Sequence, residues 1–454
     1  MNIHFIAIGG AAMHNLAIAL HKKGHKVTGS DDEIFEPSRG RLAKYGLLPA
    51  DAGWNPGKIT DSLDYVILGM HAKSDNPELN EAEKRGLKIL SFPEFIYEQT
   101  RNKTRIVIGG SHGKTTITSM IMHVLNHLNY DFDYLVGSQI TGFETMVDFN
   151  PGSEYAIIEG DEYLASPLDP RPKFHLYHPD IAVISGIAWD HINVFPTFEN
   201  YVEQFHKFAA LLPDGGTLIY YQGDEELKKI ARSLPETVVK QPYPGFRAVT
   251  RDNQTIVKYE GKEYPLKIFG SHNLQNLEAA HLVCRSIGIA TADFFNAIIS
   301  FRGAARRLEM IVDRPGLTVF NDFAHSPSKL KATIEAVKEQ YPGRKLIACM
   351  ELHTFSSLIK EFLQEYSGAM DKADVPVVIF NPENLKHKKL APLDAEEVKR
   401  AFGRNDMLVV TACEQLESFL EQTVQQENDA VLLMMSSGNF FGIDFSKYFV
   451  STNS

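Results

Sequence analysis

The sequence predicts an α/β protein of three domains, and three observations lead to this prediction. Short apolar runs alternate with segments in which apolar residues recur at helical spacing, a pattern typical of parallel sheets. Two of these runs end in glycine-rich turns, at residues 9–10 and 109–113. The chain has 454 residues, and a single core rarely grows beyond about 250 to 300 residues, so several domains are expected.

The composition is that of a globular protein, with 44% hydrophobic and 23% charged residues. Lys and Arg number 46 and Asp and Glu 57, for a net charge of −11. This acidic balance argues against non-specific binding to nucleic acid or to an anionic membrane. The three cysteines are far apart, which favours a reduced compartment over a disulfide framework. The amino terminus lacks the pattern of a signal peptide, so we expect a cytoplasmic protein.

The first domain opens with a β-α-β unit. An apolar run at residues 3–8 is followed by a helical pattern at 11–23 and a second strand at 26–29. Two more strands are predicted at residues 65–70 and 87–90. This order predicts a parallel sheet.

A new strand at residues 105–108 opens a second, larger α/β domain, and a third strand-rich unit begins near Leu308. Short β-like stretches between residues 248 and 268 predict an antiparallel insertion in the second domain. The predicted boundaries place the domains at residues 1–102, 103–303 and 304–454.

The strongest motif is a phosphate-binding loop between the strand at 105–108 and a helical segment at 117–128. Glycine allows backbone amides to surround phosphate oxygens, lysine supplies a cation and the next hydroxyl ligates Mg²⁺. The spacer between Gly109 and Gly113 is one residue shorter than in the common pattern. The motif predicts binding of ATP or GTP by Gly110, Ser111, His112, Gly113, Lys114, Thr115 and Thr116.

The turn at Gly9 and Gly10 is a degenerate dinucleotide-binding motif, with Asp31 about twenty residues further on. It predicts a diphosphate at a helix amino terminus, and a plain strand-to-helix turn is the alternative. Two phosphate-type turns in one chain indicate two phosphorylated ligands. A nicotinamide-dependent oxidoreductase would not need the Lys114 loop.

Acidic and histidine side chains follow two later strands. Glu159 comes after the apolar run at 155–158, and His191 follows the run at 181–187. Because ligands collect at the carboxyl ends of parallel strands, we expect both side chains near Lys114. A carboxylate there is suited to Mg²⁺ bound to ATP phosphates.

Polar residues near the second boundary are candidates for nucleotide contacts. His272, Asn273 and Asn276 open a helix and are either caps or partners of a purine edge. Arg306 and Arg307 suit phosphate or carboxylate recognition. Asp322 follows the first strand of the third domain.

Taken in this order, these motifs resemble the Mur ligase family, the ATP-dependent amide ligases of bacterial peptidoglycan synthesis. The resemblance implies a Rossmann-like domain for a UDP-sugar, a central ATPase domain with a P-loop and parallel sheet, and a Rossmann-like carboxy-terminal domain for the incoming amine. It also implies ATP and Mg²⁺ as cofactors. Ser111 stands where the family usually has Thr in the loop.

The resemblance implies roles for individual residues. Lys114, Glu159 and His191 would be catalytic, with Thr115, Glu159 and His191 holding Mg²⁺. The nucleotide would contact the phosphate loop together with His272, Asn273, Asn276, Arg306, Arg307 and Asp322. The UDP-sugar would bind at Gly9, Gly10, Asp31, His71, Ser74 and Asn76.

Within the family, the stretches at residues 160–163 and 435–443 favour a member that attaches the peptide L-alanyl-γ-D-glutamyl-meso-diaminopimelate to UDP-N-acetylmuramate in peptidoglycan recycling. A member that adds L-alanine is the alternative. Phe205 occupies the place of a carbamylated Lys found in members that add later residues, which disfavours those members. A nucleotide-binding regulator without ligase chemistry is the alternative from another class.

Overall fold

The computed structural model describes residues 1–140, 142–189, 194–251, 253–304 and 307–449. By their contacts, these residues group into two compact units, one of residues 1–246 with 275–299 and one of residues 247–274 with the rest of the chain from Ser300. Within the described residues, no helix is long and apolar enough to span a membrane.

The first sheet of the larger unit has four parallel strands in the order β2-β1-β3-β4. The strands are β1 (Asn2–Ile6), β2 (Lys26–Ser30), β3 (Tyr65–Leu68) and β4 (Ile89–Ser91). The helices are α1 (Ala11–Lys22), α2 (Ser38–Lys44), α3 (Pro77–Lys84) and α4 (Phe92–Thr100), with a 3₁₀ turn at Pro56–Lys58. Helix α4 begins directly after β4 because Ser91 and Glu94 form a capping box.

The second sheet of this unit has seven strands in the order β11-β10-β9-β5-β8-β6-β7, and all are parallel except β7. The strands are β5 (Thr104–Gly109), β6 (Phe132–Leu135), β7 (Val147–Asp148), β8 (Tyr155–Glu159), β9 (Ile181–Ile184), β10 (Thr217–Tyr221) and β11 (Val239–Tyr243). The helices are α5 (Lys114–His127), α6 (Phe198–Ala209), α7 (Glu225–Ser233), α8 (Ser271–Ser286), whose first residues fall in the second unit, and α9 (Thr291–Ile298), with a 3₁₀ turn at Lys173–Leu176.

The central strand β5 lies between β8 and β9, and the two faces of these strands are buried. Burial on both faces explains their nearly continuous apolar sequences. Ile108 pairs with Glu159, and Gly109 pairs with Ile184. The phosphate loop, Glu159 and the segment after β9 therefore leave the sheet at the same edge.

The second unit contains a three-stranded antiparallel sheet and a six-stranded sheet. The first consists of β12 (Ala248–Arg251), β13 (Gln254–Tyr259) and β14 (Lys262–Leu266). We predicted this antiparallel sheet inside the second domain, whereas its contacts group it with the carboxy-terminal unit. A hydrogen bond from Thr255 to Gln340 (3.2 Å) is one such contact.

The six-stranded sheet has the order β15-β16-β20-β17-β18-β19, and only β15 is antiparallel to its neighbour. The strands are β15 (Glu309–Arg314), β16 (Leu317–Asp322), β17 (Lys345–Glu351), β18 (Val375–Ile379), β19 (Leu408–Val410) and β20 (Ala430–Met435). The helices are α10 (Pro327–Gln340), α11 (Lys360–Leu363), α12 (Pro382–His387), α13 (Ala395–Phe402), α14 (Cys413–Gln426) and α15 (Ser446–Phe449), with 3₁₀ turns at Ser356–Leu358, Gln364–Tyr366 and Phe440–Gly442.

The predicted fold class is confirmed, since three separate sheets are wholly or mainly parallel and helices lie between their strands. The fourth strand of the first sheet begins two residues later than predicted, at Ile89. The boundaries at residues 102 and 303 remain predictions.

Candidate active site

The phosphate loop connects β5 to α5 through two glycines with positive φ, Gly110 at 121° and Gly113 at 78°. Glycine adopts this conformation without strain. A Cβ on Gly110 would lie 2.8 Å from the backbone nitrogen of Ser185, and a Cβ on Gly113 would overlap the Asn276 carboxamide. Asn276 therefore lies against Gly113. The loop leads into the amino terminus of α5, where backbone amides can bind phosphate.

The loop is held by the segment that follows β9. The Ser111 N–H donates to the Gly186 carbonyl (2.9 Å), and the Ser185 hydroxyl donates to the His112 carbonyl. Thr116 is buried in the first turn of α5. Residues 110–113 therefore form the turn between β5 and α5, and Lys114, Thr115 and Thr116 form the first turn of the helix.

Lys114 is the first residue of α5, and its side chain is 15% exposed. Its ammonium group donates to the Gly110 carbonyl (2.7 Å) and to Glu162 Oε2 (2.7 Å). Burial favours the neutral amine, but the carboxylates of Glu162, Asp161 and Glu159 outweigh it and raise the pKa of Lys114 above its usual value. The lysine is therefore a cation at the phosphate loop.

Thr115 and Glu159 form a pair suited to Mg²⁺. The Thr115 hydroxyl donates to Glu159 Oε1 (2.8 Å), and the Gly137 N–H donates to Oε2 (2.7 Å). A hydroxyl beside a carboxylate provides the oxygen ligands that Mg²⁺ prefers. In the part of the chain that the structure describes, no group of three or more His, Cys, Asp or Glu side chains is placed to hold a metal, and the third predicted ligand, His191, lies outside the described residues.

Two side chains of this site were missed by the sequence prediction. Glu162 accepts from Lys114, and Tyr201 in α6 donates to Glu162 Oε1 (3.2 Å). Glu162 lies in the same acidic stretch as the predicted residue Glu159, so its position in the sequence could have indicated a role at this site. Tyr201 sits on the apolar face of an amphipathic helix, where it is indistinguishable from a core residue by sequence.

The first glycine turn joins β1 to α1. The Gly9 N–H donates to Asp31 Oδ2 (2.7 Å), and a Cβ on Gly9 would lie 2.9 Å from the same oxygen. Gly10 precedes α1 directly. The structure therefore brings Gly9, Gly10 and Asp31 together, and the binding of a diphosphate at this turn remains a prediction.

The pKa of Asp31 is raised to about 6, because burial disfavours its charged form more than the Gly9 hydrogen bond favours it. Between pH 4 and 6 the folded chain then holds a proton that the unfolded chain has lost, so stability falls as pH rises through this range. Asp31→Asn is expected to raise the free energy of unfolding at pH 7 by on the order of 2 kcal/mol. Urea unfolding at pH 4.5 and pH 7 measures this effect.

Asp51→Asn is the matched control, since Asp51 is exposed and its replacement should change the free energy of unfolding at pH 7 by less than about 0.5 kcal/mol. The assignment of Asp31 is wrong if Asp31→Asn unfolds with the pH dependence of the unaltered chain.

The segment after β3 carries the other three predicted UDP-sugar residues. It leaves the sheet beside the first turn, because the Gly69 N–H donates to the Ile6 carbonyl (2.9 Å). His71 and Ser74 are exposed there. Asn76 instead caps α3 by accepting from the Glu78 and Leu79 N–H groups (2.9 and 3.2 Å), so its amide oxygen has a structural role.

In the second unit, Asp322 at the end of β16 accepts from the backbone N–H groups of Leu308 and Ala324 (both 2.6 Å). Burial raises its pKa, although the nearby Arg307 opposes this shift. The Arg307 guanidinium lies over the Phe323 ring, 4.5 Å from its centroid. Arg307 and Asp322 are therefore close together, while Arg306 lies outside the described residues.

His272 and Asn273 open helix α8. The Asn273 amide donates to the Phe269 carbonyl (2.9 Å), so it stabilises the start of the helix. Burial lowers the pKa of His272 to about 4. The buried Nδ1 atom of His272 has no hydrogen-bond partner among the described residues.

A second cluster, not predicted, lies where β17 and β20 end in the second unit. The buried carboxylate of Glu351 accepts from the Ser436 hydroxyl and from the Phe440 N–H (3.0 Å), and His353 Nδ1 is 3.8 Å from it. A Cβ on Gly438 would overlap both Glu351 and His353. These residues are distant in sequence, so their proximity was not evident from it.

Known protein families match the chain over most of its length. Three family models match the chain: the Mur ligase family catalytic domain at residues 2–104, the Mur ligase middle domain at 108–284 and the Mur ligase glutamate ligase domain at 306–438. A UDP-N-acetylmuramate–L-alanine ligase of Caldanaerobacter subterraneus is 30% identical, covering 97% of this chain and 96% of its own length. The chain belongs to the Mur ligase family.

Relatives of two specificities are similarly close. The UDP-N-acetylmuramate–L-alanyl-gamma-D-glutamyl-meso-2,6-diaminoheptandioate ligase of Escherichia coli is 28% identical over 98% of this chain and 96% of its own length. Crystal structures of a murein peptide ligase from Psychrobacter arcticus (TM-score 0.64, 23% identity) and a UDP-N-acetylmuramate–alanine ligase from Thermotoga maritima (TM-score 0.71, 22% identity) each cover 97% of both chains. These structures share the fold.

Membership of the Mur ligase family makes this chain an ATP-dependent ligase that forms an amide bond. The predictions of the family, the enzyme class and ATP dependence are thereby confirmed. The comparisons give no support to the alternatives of a regulator without ligase chemistry or a nicotinamide-dependent oxidoreductase.

Proposed function

We propose that this ligase joins the lactyl carboxylate of UDP-N-acetylmuramate to the amine of L-alanyl-γ-D-glutamyl-meso-diaminopimelate in peptidoglycan recycling. The observation that carries the ligase chemistry is the meeting of Lys114, Thr115 and Glu159 at one edge of the second sheet. The choice of a peptide rests on the stretch at residues 435–443, which resembles the peptide-adding members and folds around Glu351.

We assign one substrate to each predicted domain. Residues 1–102 would bind the UDP-sugar through Gly9, Gly10 and Asp31, with His71, Ser74 and Asn76 on the neighbouring segment. Residues 103–303 would bind ATP, and residues 304–454 would admit the amine. His272, Asn273 and Asn276, which also belong to residues 103–303, would contact the nucleotide, as would Arg306, Arg307 and Asp322.

In the proposed reaction, a lactyl carboxylate oxygen attacks the γ-phosphorus of ATP, and ADP leaves. The product is an acyl phosphate, whose carbonyl carbon is attacked by the amine nitrogen. Phosphate then departs and the nitrogen loses a proton, which completes the amide. Each step creates negative charge on phosphate oxygens, so fixed cations lower its barrier.

The chain supplies this stabilisation from residues already in place. Lys114 would donate to the β- and γ-phosphate oxygens of ATP, and the amides of residues 110–113 would surround them. Thr115 and Glu159, with His191, would hold Mg²⁺, which when bound neutralises phosphate charge. Water must be kept from the acyl phosphate, which would otherwise hydrolyse.

For the amine end we propose the cluster at Glu351. Burial favours the neutral acid, but the nearby His353 ring and hydrogen bonds from Ser436 and Phe440 hold the pKa of Glu351 below its usual value. The result is a fixed negative charge at the end of β17. Such a charge attracts the ammonium group of an incoming amino acid or peptide.

Glu351→Gln is expected to raise the KM for the amine about tenfold while leaving the KM for ATP within about twofold, because the charge that attracts the amine is lost. Steady-state kinetics with each substrate varied in turn measure both constants. The control is Glu427→Gln, which removes a carboxylate paired with Lys345 at the opposite end of the same strand. Equal effects of the two substitutions would refute the role of Glu351.

The substrate itself is tested by competition. UDP-N-acetylmuramate, ATP and equal concentrations of L-alanine and the tripeptide are incubated with the enzyme, and the products are distinguished by mass. We expect the tripeptide product to predominate. A predominance of the L-alanine product would establish the second candidate, which the 30% identical L-alanine ligase favours.

A further inference from the structure

We propose that Glu162 and Tyr201 are positioning residues for the ligase reaction, which fix the ammonium group of Lys114 for phosphoryl transfer. This inference rests on the proposed function, because it concerns the same phosphate loop. It adds two residues to the machinery, one from the acidic stretch after β8 and one from α6.

The first contact is between Lys114 and Glu162. Glu162 Oε2 lies 2.7 Å from Lys114 Nζ, and the Glu162 side chain is 2% exposed. A buried lysine has three N–H groups to satisfy. Among the described residues, the Gly110 carbonyl and Glu162 accept two of them. These two fixed acceptors determine the direction in which the third N–H points.

The second contact fixes Glu162 itself. The Tyr201 hydroxyl donates to Glu162 Oε1 (3.2 Å) and shares a hydrogen bond with the Ser111 hydroxyl (2.9 Å). Ser111 also accepts from the Ala188 N–H (2.8 Å). Glu162 is therefore held at both carboxylate oxygens, and the phosphate loop is connected to α6 through its own serine.

The Tyr201 ring is immobilised by packing. It is fully buried and meets the Phe205 ring edge-on, with centroids 5.1 Å apart, and the Phe195 ring at 5.4 Å. Because the ring is fixed, its hydroxyl is fixed as well. A catalytic group whose neighbours are locked by packing needs little reorganisation when its ligand arrives.

This arrangement gives a function to Ser111, which departs from the usual Thr of the family. Its hydroxyl connects Tyr201 to the backbone at Ala188. Ser111, Tyr201, Glu162 and Lys114 thus form a continuous series of hydrogen bonds from α6 to the phosphate loop. All four belong to the same unit, as does Gly110.

The test compares Tyr201→Phe and Glu162→Gln with the unaltered enzyme. Both substitutions preserve side-chain shape but weaken the contacts that fix the Lys114 ammonium group. We therefore expect kcat to fall about tenfold and the KM for ATP to change by less than about twofold. Because Tyr201 acts through Glu162, the double variant is expected to be no slower than Glu162→Gln alone.

Tyr134→Phe is the matched control. The Tyr134 hydroxyl is also buried and donates to the Thr145 carbonyl (3.2 Å). The substitution therefore removes a comparable hydrogen bond at a residue that does not contact Lys114. We expect its kcat to equal that of the unaltered enzyme. Thermal unfolding of every variant measures structural damage.

The inference is overturned if Tyr201→Phe and Tyr134→Phe lower kcat equally, if the ATP KM rises while kcat is unchanged, or if the effects of the two substitutions multiply in the double variant. Failure of the unaltered enzyme to release phosphate with UDP-N-acetylmuramate and either amine would refute the proposed function instead. The two failures are therefore distinguishable.

Discussion

Lys114→Ala is expected to abolish ATP-dependent ligation, with kcat falling by about a thousandfold, while UDP-N-acetylmuramate still binds. The substitution removes a buried cation from the phosphate loop and leaves the Glu162 carboxylate without its ion-pair partner. Phosphate charge that develops during transfer would then be poorly neutralised. Phosphate release measures the first effect, and calorimetric titration with the UDP-sugar measures the second.

The matched control is Lys207→Ala. Lys207 forms an ion pair with Glu203 on the exposed face of α6, and exposed ion pairs contribute little to the stability of the fold. This variant should have the kcat of the unaltered enzyme. Retained turnover in Lys114→Ala would refute the assignment of the phosphate loop, and loss of UDP-sugar binding would show that the substitution damages the fold.

Glu159→Gln is expected to have the second-largest effect, a fall in kcat of about a hundredfold together with a higher Mg²⁺ concentration at half-maximal rate. An uncharged amide is a weaker ligand for Mg²⁺ than a carboxylate. The glutamine oxygen can still accept from the Gly137 N–H, and its amide group can donate to the Thr115 hydroxyl, so the loop should keep its structure. Initial rates across a Mg²⁺ titration provide both quantities.

Glu154→Gln is the control for this experiment, since Glu154 is exposed and immediately precedes β8, the strand that ends with Glu159. Its Mg²⁺ dependence should match that of the unaltered enzyme. An unchanged Mg²⁺ requirement in Glu159→Gln would contradict the role of Glu159 as a ligand.

The loop and its first acidic partner were predictable because each follows an apolar strand directly. In a parallel sheet the carboxyl ends of neighbouring strands lie together, so Lys114 and Glu159 were expected to meet, and the pairing of Ile108 with Glu159 brings this about. The Gly9 turn was predictable for the same reason, since Asp31 follows β2 beside β1.

Residues that act through tertiary contacts were not predictable. Tyr201 reaches the loop from a helix whose apolar face predicts only burial, and Glu351 meets Ser436 across a sequence separation of 85 residues. Asn76 was predicted to bind the UDP-sugar, and in the structure its side chain caps helix α3. Its position before Pro77 was a usable capping signal.

The central claim is that ATP activates the carboxylate of UDP-N-acetylmuramate at the Lys114 loop. It is tested most directly with a UDP-sugar that carries ¹⁸O in its lactyl carboxylate, incubated with the enzyme, ATP, Mg²⁺ and the amine. An acyl-phosphate intermediate transfers one labelled oxygen to phosphate, so we predict one ¹⁸O per released phosphate by mass spectrometry. Release of unlabelled phosphate would contradict the proposed chemistry.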